Sequence, residues 1–382
     1  MVLDTLPDAH ALRRRFDAAE PFTVGVEEEV MLLDPVSGEL APVADELLRR
    51  LDGDPRFKPE LPAAQLEIRT SPVAAASDAV AQLAAARRDL AAACDGLARP
   101  AASGVHPFSA AEGALTSGPR YDAIHAEYGT IARRQLVASL QVHVAVGDAD
   151  AALAVHNALR SRLPELAALA ANAPFHEGRD GGLASVRPTL AGLLPRQGVP
   201  PALADWEQFA AELRWGAAAG TVPEPGMWWW ELRPHPLFGT LELRVPDAQS
   251  TVAEAAGVIA LAQALVATLA ERHAAGEPLP VAPAWRIEEN RWSALRHGLD
   301  GTLADLATGA PEPTRLRLLA LLDEVAPAAA RLGSAELLAH ARASALANGA
   351  IRQRAAARER GIAGPDGVAG WLAERFLVAD DQ

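Results

Sequence analysis

Alternation of apolar and polar residues with a period of two, the mark of a strand half-buried against a core, recurs at four places in the chain. In Phe22 to Leu33 the even positions are Phe22, Val24, Val26, Glu28, Val30 and Leu32, while the odd positions include Thr23, Gly25, Glu27 and Glu29. From Gln65 to Thr70, Leu66 and Ile68 oppose Gln65, Glu67 and Arg69. From Leu136 to Val146, the set Leu136, Ala138, Leu140, Val142, Val144 and Val146 opposes Ser139, Gln141 and His143. From Gly239 to Val245, Leu241, Leu243 and Val245 oppose Thr240, Glu242 and Arg244. All four segments thus pair an apolar face with a face carrying carboxylates, a histidine and an arginine. Solvated faces usually mix Lys, Thr, Ser and Glu; these are short-chained and rich in carboxylates. The pattern predicts an α+β fold: an open, mostly antiparallel sheet with helices on one face and a concave polar active site on the other. Glu28 falls on the apolar side, where it requires a partner or an exposed strand end.

Alanine- and leucine-rich stretches with Asp, Thr or Ser near their starts predict helices over Ser77–Ala98, Asp148–Asn172, Thr251–Ala274 and Ser334–Arg360. Loops are marked at Asp34–Gly38, Gly104–Pro107, Leu194–Pro201 and Thr221–Gly226. Neither a repeat nor a long linker divides the chain. The expectation is therefore a single catalytic domain over 1–382, its motifs lying in 21–300, with a helical, arginine-rich segment over 305–382 packed on that core. Val252 to Ala270 is the nearest approach to a membrane span, but it holds Glu254, Gln263 and much alanine, so a buried helix is expected.

Half of the 382 residues are hydrophobic and the net charge is −14. An acidic chain of that kind is a poor match for a nucleic-acid backbone. Arg13–Arg15 have no apolar run behind them, so a signal peptide is not expected and a cytoplasmic location is. The one cysteine, Cys94, excludes an intramolecular disulfide and reads as a small core residue. His106, alone in a loop, is expected to be exposed, and Trp228–Trp230 are expected to be core or the wall of a cleft. Lys58 is the only lysine. Without a Gly-Lys-Ser/Thr string there is no P-loop. If the protein handles ATP, metal ions and arginines must manage its phosphates.

Gly25-Val26-Glu27-Glu28-Glu29 is the sharpest string. Glu27 and Glu29 point to the same side, about 7 Å apart at ~3.3 Å per residue. That separation suits two neighbouring ions better than one. Adding Glu67, His143 and Glu242 from other strands gives an oxygen-rich site, which favours Mg²⁺ or Mn²⁺ over Zn²⁺.

Several strings resemble, in order, the glutamate–cysteine ligase type 2 family of carboxylate–amine ligases. They are Gly25 to Glu29, Gln65-Leu66-Glu67-Ile68-Arg69-Thr70, Gly104-Val105-His106-Pro107-Phe108, Val142-His143-Val144, Ala184-Ser185-Val186-Arg187, Trp228 to Pro234, Gly239 to Val245 and Glu289-Asn290-Arg291-Trp292. The resemblance implies a glutamine synthetase-like fold and an ATP- and Mg²⁺-dependent ligase that joins an amine to the side-chain carboxylate of L-glutamate through an acyl phosphate. It implies one Mg²⁺ on Glu27, His143 and Glu242 and another on Glu29 and Glu67, with Glu60 a further candidate by position. In that picture Arg244 and Arg187 are the candidate catalytic cations, Arg244 for the transferred phosphoryl group, and Arg233, Gln141 and Arg187 are the candidate substrate-binding residues, an arginine fork being able to hold a carboxylate bidentately. Its partners would be ATP, L-glutamate and an amine, and a homodimer would suit the acidic, helix-covered sheet. The family pattern has His-Val-His where this chain has Gln141-Val142-His143, and a preceding Cys-Gly is absent. Two other readings remain open: a guanidino phosphotransferase, and a non-catalytic member that binds nucleotide or amino acid.

Overall fold

The computed structural model describes residues 6–220, 222 and 225–378. The predicted alternation appears as a seven-stranded sheet: β1 (Val24–Leu33), β2 (Phe57–Pro59), β3 (Gln65–Arg69), β4 (Arg99–Ala101), β5 (Leu140–Ala145), β6 (Leu232–His235) and β7 (Thr240–Leu243). The order is β2-β3-β1-β5-β7-β6, with β4 beside the far end of β1. Every pairing is antiparallel.

Register decides which side chains meet, because a one-residue slip would turn each strand's polar set into the core. Glu27 lies between Arg69 and Gln141, Glu29 opposite Glu67, and His143 between Gly25 and Glu242. Glu242 in turn faces Arg233 on β6. The edge strands β2 and β6 each hold a proline, Pro59 and Pro234, which an edge tolerates because no ladder donor is needed there.

On the other face, Val24, Val26, Val30, Leu66, Ile68, Leu140, Val142, Val144, Leu241 and Leu243 are buried in one core. Helices Ala76–Ala93, Ala149–Leu159 and Val252–Ala274 cover them. The last is long and apolar enough to cross a membrane, yet it is enclosed by protein. Its start is a capping box: Glu254 N donates to Thr251 Oγ1 at 3.1 Å and Thr251 N to Glu254 Oε2 at 2.9 Å. Helices Thr314–Arg331 and Leu338–Leu346 pack against it. The second comes so close that a Cβ on Gly257 would stand 2.5 Å from Ala341 N.

Two predicted helices prove to be broken. Asp148–Asn172 divides into Ala149–Leu159, a 3₁₀ turn and Leu163–Ala170, with Pro164 in the first turn of the second helix, where its missing N–H costs nothing. Ser334–Arg360 divides before Asn348, whose side chain caps Gly349–Arg360 by accepting from Ile351 N at 3.2 Å. Glu28 does sit on the apolar side, and its partner is Arg87 from helix Ala76–Ala93 at 2.8 Å. His106 is buried rather than exposed: Nδ1 accepts from Ser109 N at 2.8 Å and Nε2 donates to the Gly38 carbonyl at 2.8 Å. Burial pulls its pKa down to about 4.

Candidate active site

The polar face of the sheet floors a cavity of about 660 Å³ lined by Glu27, Glu29, Glu60, Glu67, Gln141, Arg187, Arg233 and Arg244, among others. Beside Glu27, which lines that cavity, His143 on β5 stands between two carboxylates. Nδ1 is 3.1 Å from Thr240 Oγ1, which fixes the ring. Nε2 is buried without a hydrogen-bond partner, 3.8 Å from Glu27 Oε2 and 3.9 Å from Glu242 Oε1. One ligand atom from each of the three residues lies within 4.8 Å of the others, the one such group of three among the described residues. A small inward movement would bring all three to the ~2.0–2.1 Å that Mg²⁺ requires. A buried ring nitrogen lacking a partner is costly, and a cation at this point would satisfy it. The donor set therefore fits a hard divalent ion.

The surroundings keep the two carboxylates of this group ionised. Burial raises the Glu27 carboxyl, but His143 and Arg69 more than offset it and leave it at about 2. Burial likewise opposes ionisation of Glu242, yet Arg233 and Arg244 hold it well below the usual carboxylate range. Arg233 grips Glu242 through Nε (2.5 Å) and Nη2 (3.2 Å), while Nη1 donates to the carbonyls of Trp228 (2.7 Å) and Gly226 (3.2 Å). Its guanidinium is thus held against Glu242 while it lines the cavity, where substrate binding was expected of it. Arg244 Nη1 bridges Glu242 and Gln141.

Glu29 and Glu67 lie together but outside that group of three. Glu29 accepts from Ser139 N at 2.6 Å and from Gln141 Nε2 at 2.9 Å; Glu67 accepts from Arg69 Nε at 2.5 Å. Glu60 joins them, and the three behave oppositely to Glu27 and Glu242. Burial, reinforced by Glu27 and Glu60, holds Glu67 well above its ordinary value. Burial and the Glu29 charge push Glu60 up to about 7, and burial raises Glu29. Crowded carboxylates resist ionising together unless a cation joins them.

Arg187 lines the cavity with Nε on Asp247 at 2.7 Å and Nη2 on the Val245 carbonyl, leaving Nη1 without a hydrogen bond among the described residues. The sequence reading passed over Glu231 and His235. Both line the cavity from β6 or just before it, and their alternation with Leu232 and Pro234 carried the signal. Cys94 is buried at the end of its helix, its thiol pushed up to about 12 by burial, far from the reactivity a thiol mechanism needs.

The chain with this open sheet and acidic, arginine-flanked cavity is an ATP-dependent carboxylate–amine ligase by its family. The chain belongs to glutamate–cysteine ligase family 2, whose profile matches residues 23–364. A candidate glutamate–cysteine ligase 2-3 of Rubrobacter xylanophilus is 41% identical over 352 residues, covering 90% of this chain and 94% of the relative. A candidate glutamate–cysteine ligase 2 of Thermobifida fusca is 36% identical, covering 84% and 82%. Among solved structures, the glutamate–cysteine ligase of Francisella tularensis in complex with AMP superimposes with a TM-score of 0.66 at 12% identity, over 94% of this chain and 89% of that one. A bifunctional glutathione synthetase of Pasteurella multocida gives 0.66 at 13% identity, over 96% of this chain and 53% of the other. At such identities these two structures speak for the fold alone.

Proposed function

We propose that this ligase activates the side-chain carboxylate of L-glutamate with ATP and transfers the resulting acyl group to an amine. The observation that carries the reading is the Glu27–His143–Glu242 group, whose unpartnered Nε2 and two carboxylates converge at the Glu27 side of a cavity of about 660 Å³. A carboxylate oxygen of glutamate attacks the γ-phosphorus as the bond to ADP breaks. The amine nitrogen then attacks the acyl carbon, loses a proton, and phosphate leaves with the C–O bond.

Mg²⁺, or Mn²⁺, held by Glu27, His143 and Glu242, with a second ion on Glu29 and Glu67, would neutralise phosphate charge during the transfer. Arg244 is the phosphoryl contact, its guanidinium fixed over the cavity by Glu242 and Gln141. Arg187 presents its remaining Nη1 edge to a substrate oxygen, held in place by Asp247. Gln141, neutral and tied at both ends, shapes the floor between Glu29 and Arg244 and is the side chain closest in kind to an amine or amide contact. The acyl-phosphate route is tested with L-glutamate carrying ¹⁸O in its side-chain carboxylate. One ¹⁸O atom per turnover should appear in the released phosphate; phosphate free of label would overturn the route.

A further inference from the structure

Lys58 stands on the edge strand β2, directly across from Glu67. Cross-strand partners share a face, so its side chain rises on the cavity side, and it lines the cavity near Glu60 and Arg120. It is the only lysine among 35 lysines and arginines, so the one side-chain ammonium is placed at this site.

The neighbouring arginines each have a carboxylate partner or neighbour. Arg69 pairs with Glu27 (2.9 Å) and Glu67 (2.5 Å), Arg187 with Asp247 (2.7 Å), and both Arg233 and Arg244 with Glu242. Arg120 has Glu60 as a charged neighbour. The Lys58 side chain, among the described residues, makes neither a hydrogen bond nor an ion pair, although Glu67 is opposite it on β3. An ammonium with three rotatable donors needs no planar, bidentate match, so it can take a single anionic oxygen arriving from solvent. The ammonium would offset the charge that an incoming anion brings beside Glu29, Glu60 and Glu67.

We propose that Lys58 is a further anion-receiving cation of the cavity, beside Arg244 and Arg187, binding a carboxylate or phosphate oxygen of a substrate at the β2 edge. The assignment rests on the ligase reading above, which supplies the anions, and it adds a residue and a place to it.

The chain carries two kinds of amine, the Lys58 side chain and the chain N-terminus, so reductive methylation with ¹³C-formaldehyde gives a spectrum in which Lys58 is a single resonance, identified by its loss in Lys58→Arg. Methylation keeps the charge. The full-length protein is titrated with Mg·ATP and, separately, with L-glutamate, while calorimetry records binding on the same samples and on unlabelled Lys58→Met. A saturable shift with Mg·ATP assigns the oxygen to a phosphate, and a shift with L-glutamate assigns it to a carboxylate. In either case Lys58→Met should weaken that ligand by about 10- to 100-fold, the size of one charge-assisted hydrogen bond, and Lys58→Arg should restore part of the loss. Binding that leaves the Lys58 resonance in place and is unchanged in Lys58→Met overturns the assignment while the ligase reading stands. Failure of both ligands to bind overturns the ligase reading and the Lys58 assignment with it.

Discussion

Glu28 and Arg87 form an ion pair with no exposed side-chain surface, on the helical side of β1 at the residue between cavity-facing Glu27 and Glu29. The same guanidinium donates to the carbonyls of Gln249 (2.7 Å) and Phe376 (2.8 Å). It therefore ties the strand that carries the site to the approach of the central helix and to the C-terminal segment. A pair buried this completely costs most when one partner is lost. Arg87→Met should lower stability by about 3–5 kcal/mol, and adding Glu28→Leu should restore most of it. Urea unfolding of the two variants checks this; a loss below about 1 kcal/mol in Arg87→Met would contradict it.

Arg233 acts on the site through Glu242. Arg233→Met should leave Glu242 held by Arg244 alone and let burial move its carboxyl back up. Mn²⁺ affinity, followed by electron paramagnetic resonance, should fall by about 10- to 100-fold, as when a ligand loses its supporting hydrogen bonds. Unchanged affinity in a folded variant would return Arg233 to direct substrate binding.

Glu60 gives the site a pH signature. Its folded pKa is about 7, above the ordinary carboxylate value, because of burial and the Glu29 charge. Between about pH 4.5 and 7 the folded state holds a proton that the unfolded chain has released, so this group makes stability fall as pH rises. Glu27 and Glu242 have the opposite sign and act lower, losing their contribution as pH falls below the ordinary carboxylate range. Thermal unfolding of the metal-free protein at pH 5 and pH 8 should show a smaller drop for Glu60→Gln than for the parent chain. Equal drops would contradict the placement of Glu60. Saturating Mg²⁺ should also reduce the drop in the parent.

Much of this was legible in the chain because period-two alternation survives wherever one strand face is buried and the other is not. Glu27, Glu29, Glu67, His143 and Glu242 all stand on the face the alternation predicted. What escaped has physical reasons. β6 was hidden by Pro234 and the preceding tryptophans, which are admissible because it is an edge. Glu60 was expected by position alone, because it follows β2 in an irregular Lys-Pro-Glu-Leu-Pro stretch with no period to read. The partners of Glu28 and His106, which are Arg87 and the Gly38 carbonyl, lie 59 and 68 residues away, and no local pattern encodes contacts of that range.

The most direct test of the account is phosphate release from ATP with Mg²⁺, L-glutamate and a panel of amines that includes cysteine, run beside Glu27→Gln and Glu242→Gln. The account predicts release that requires both glutamate and one amine, and its loss in each variant while the fold persists. Release that ignores glutamate, or full activity in either variant, would contradict it.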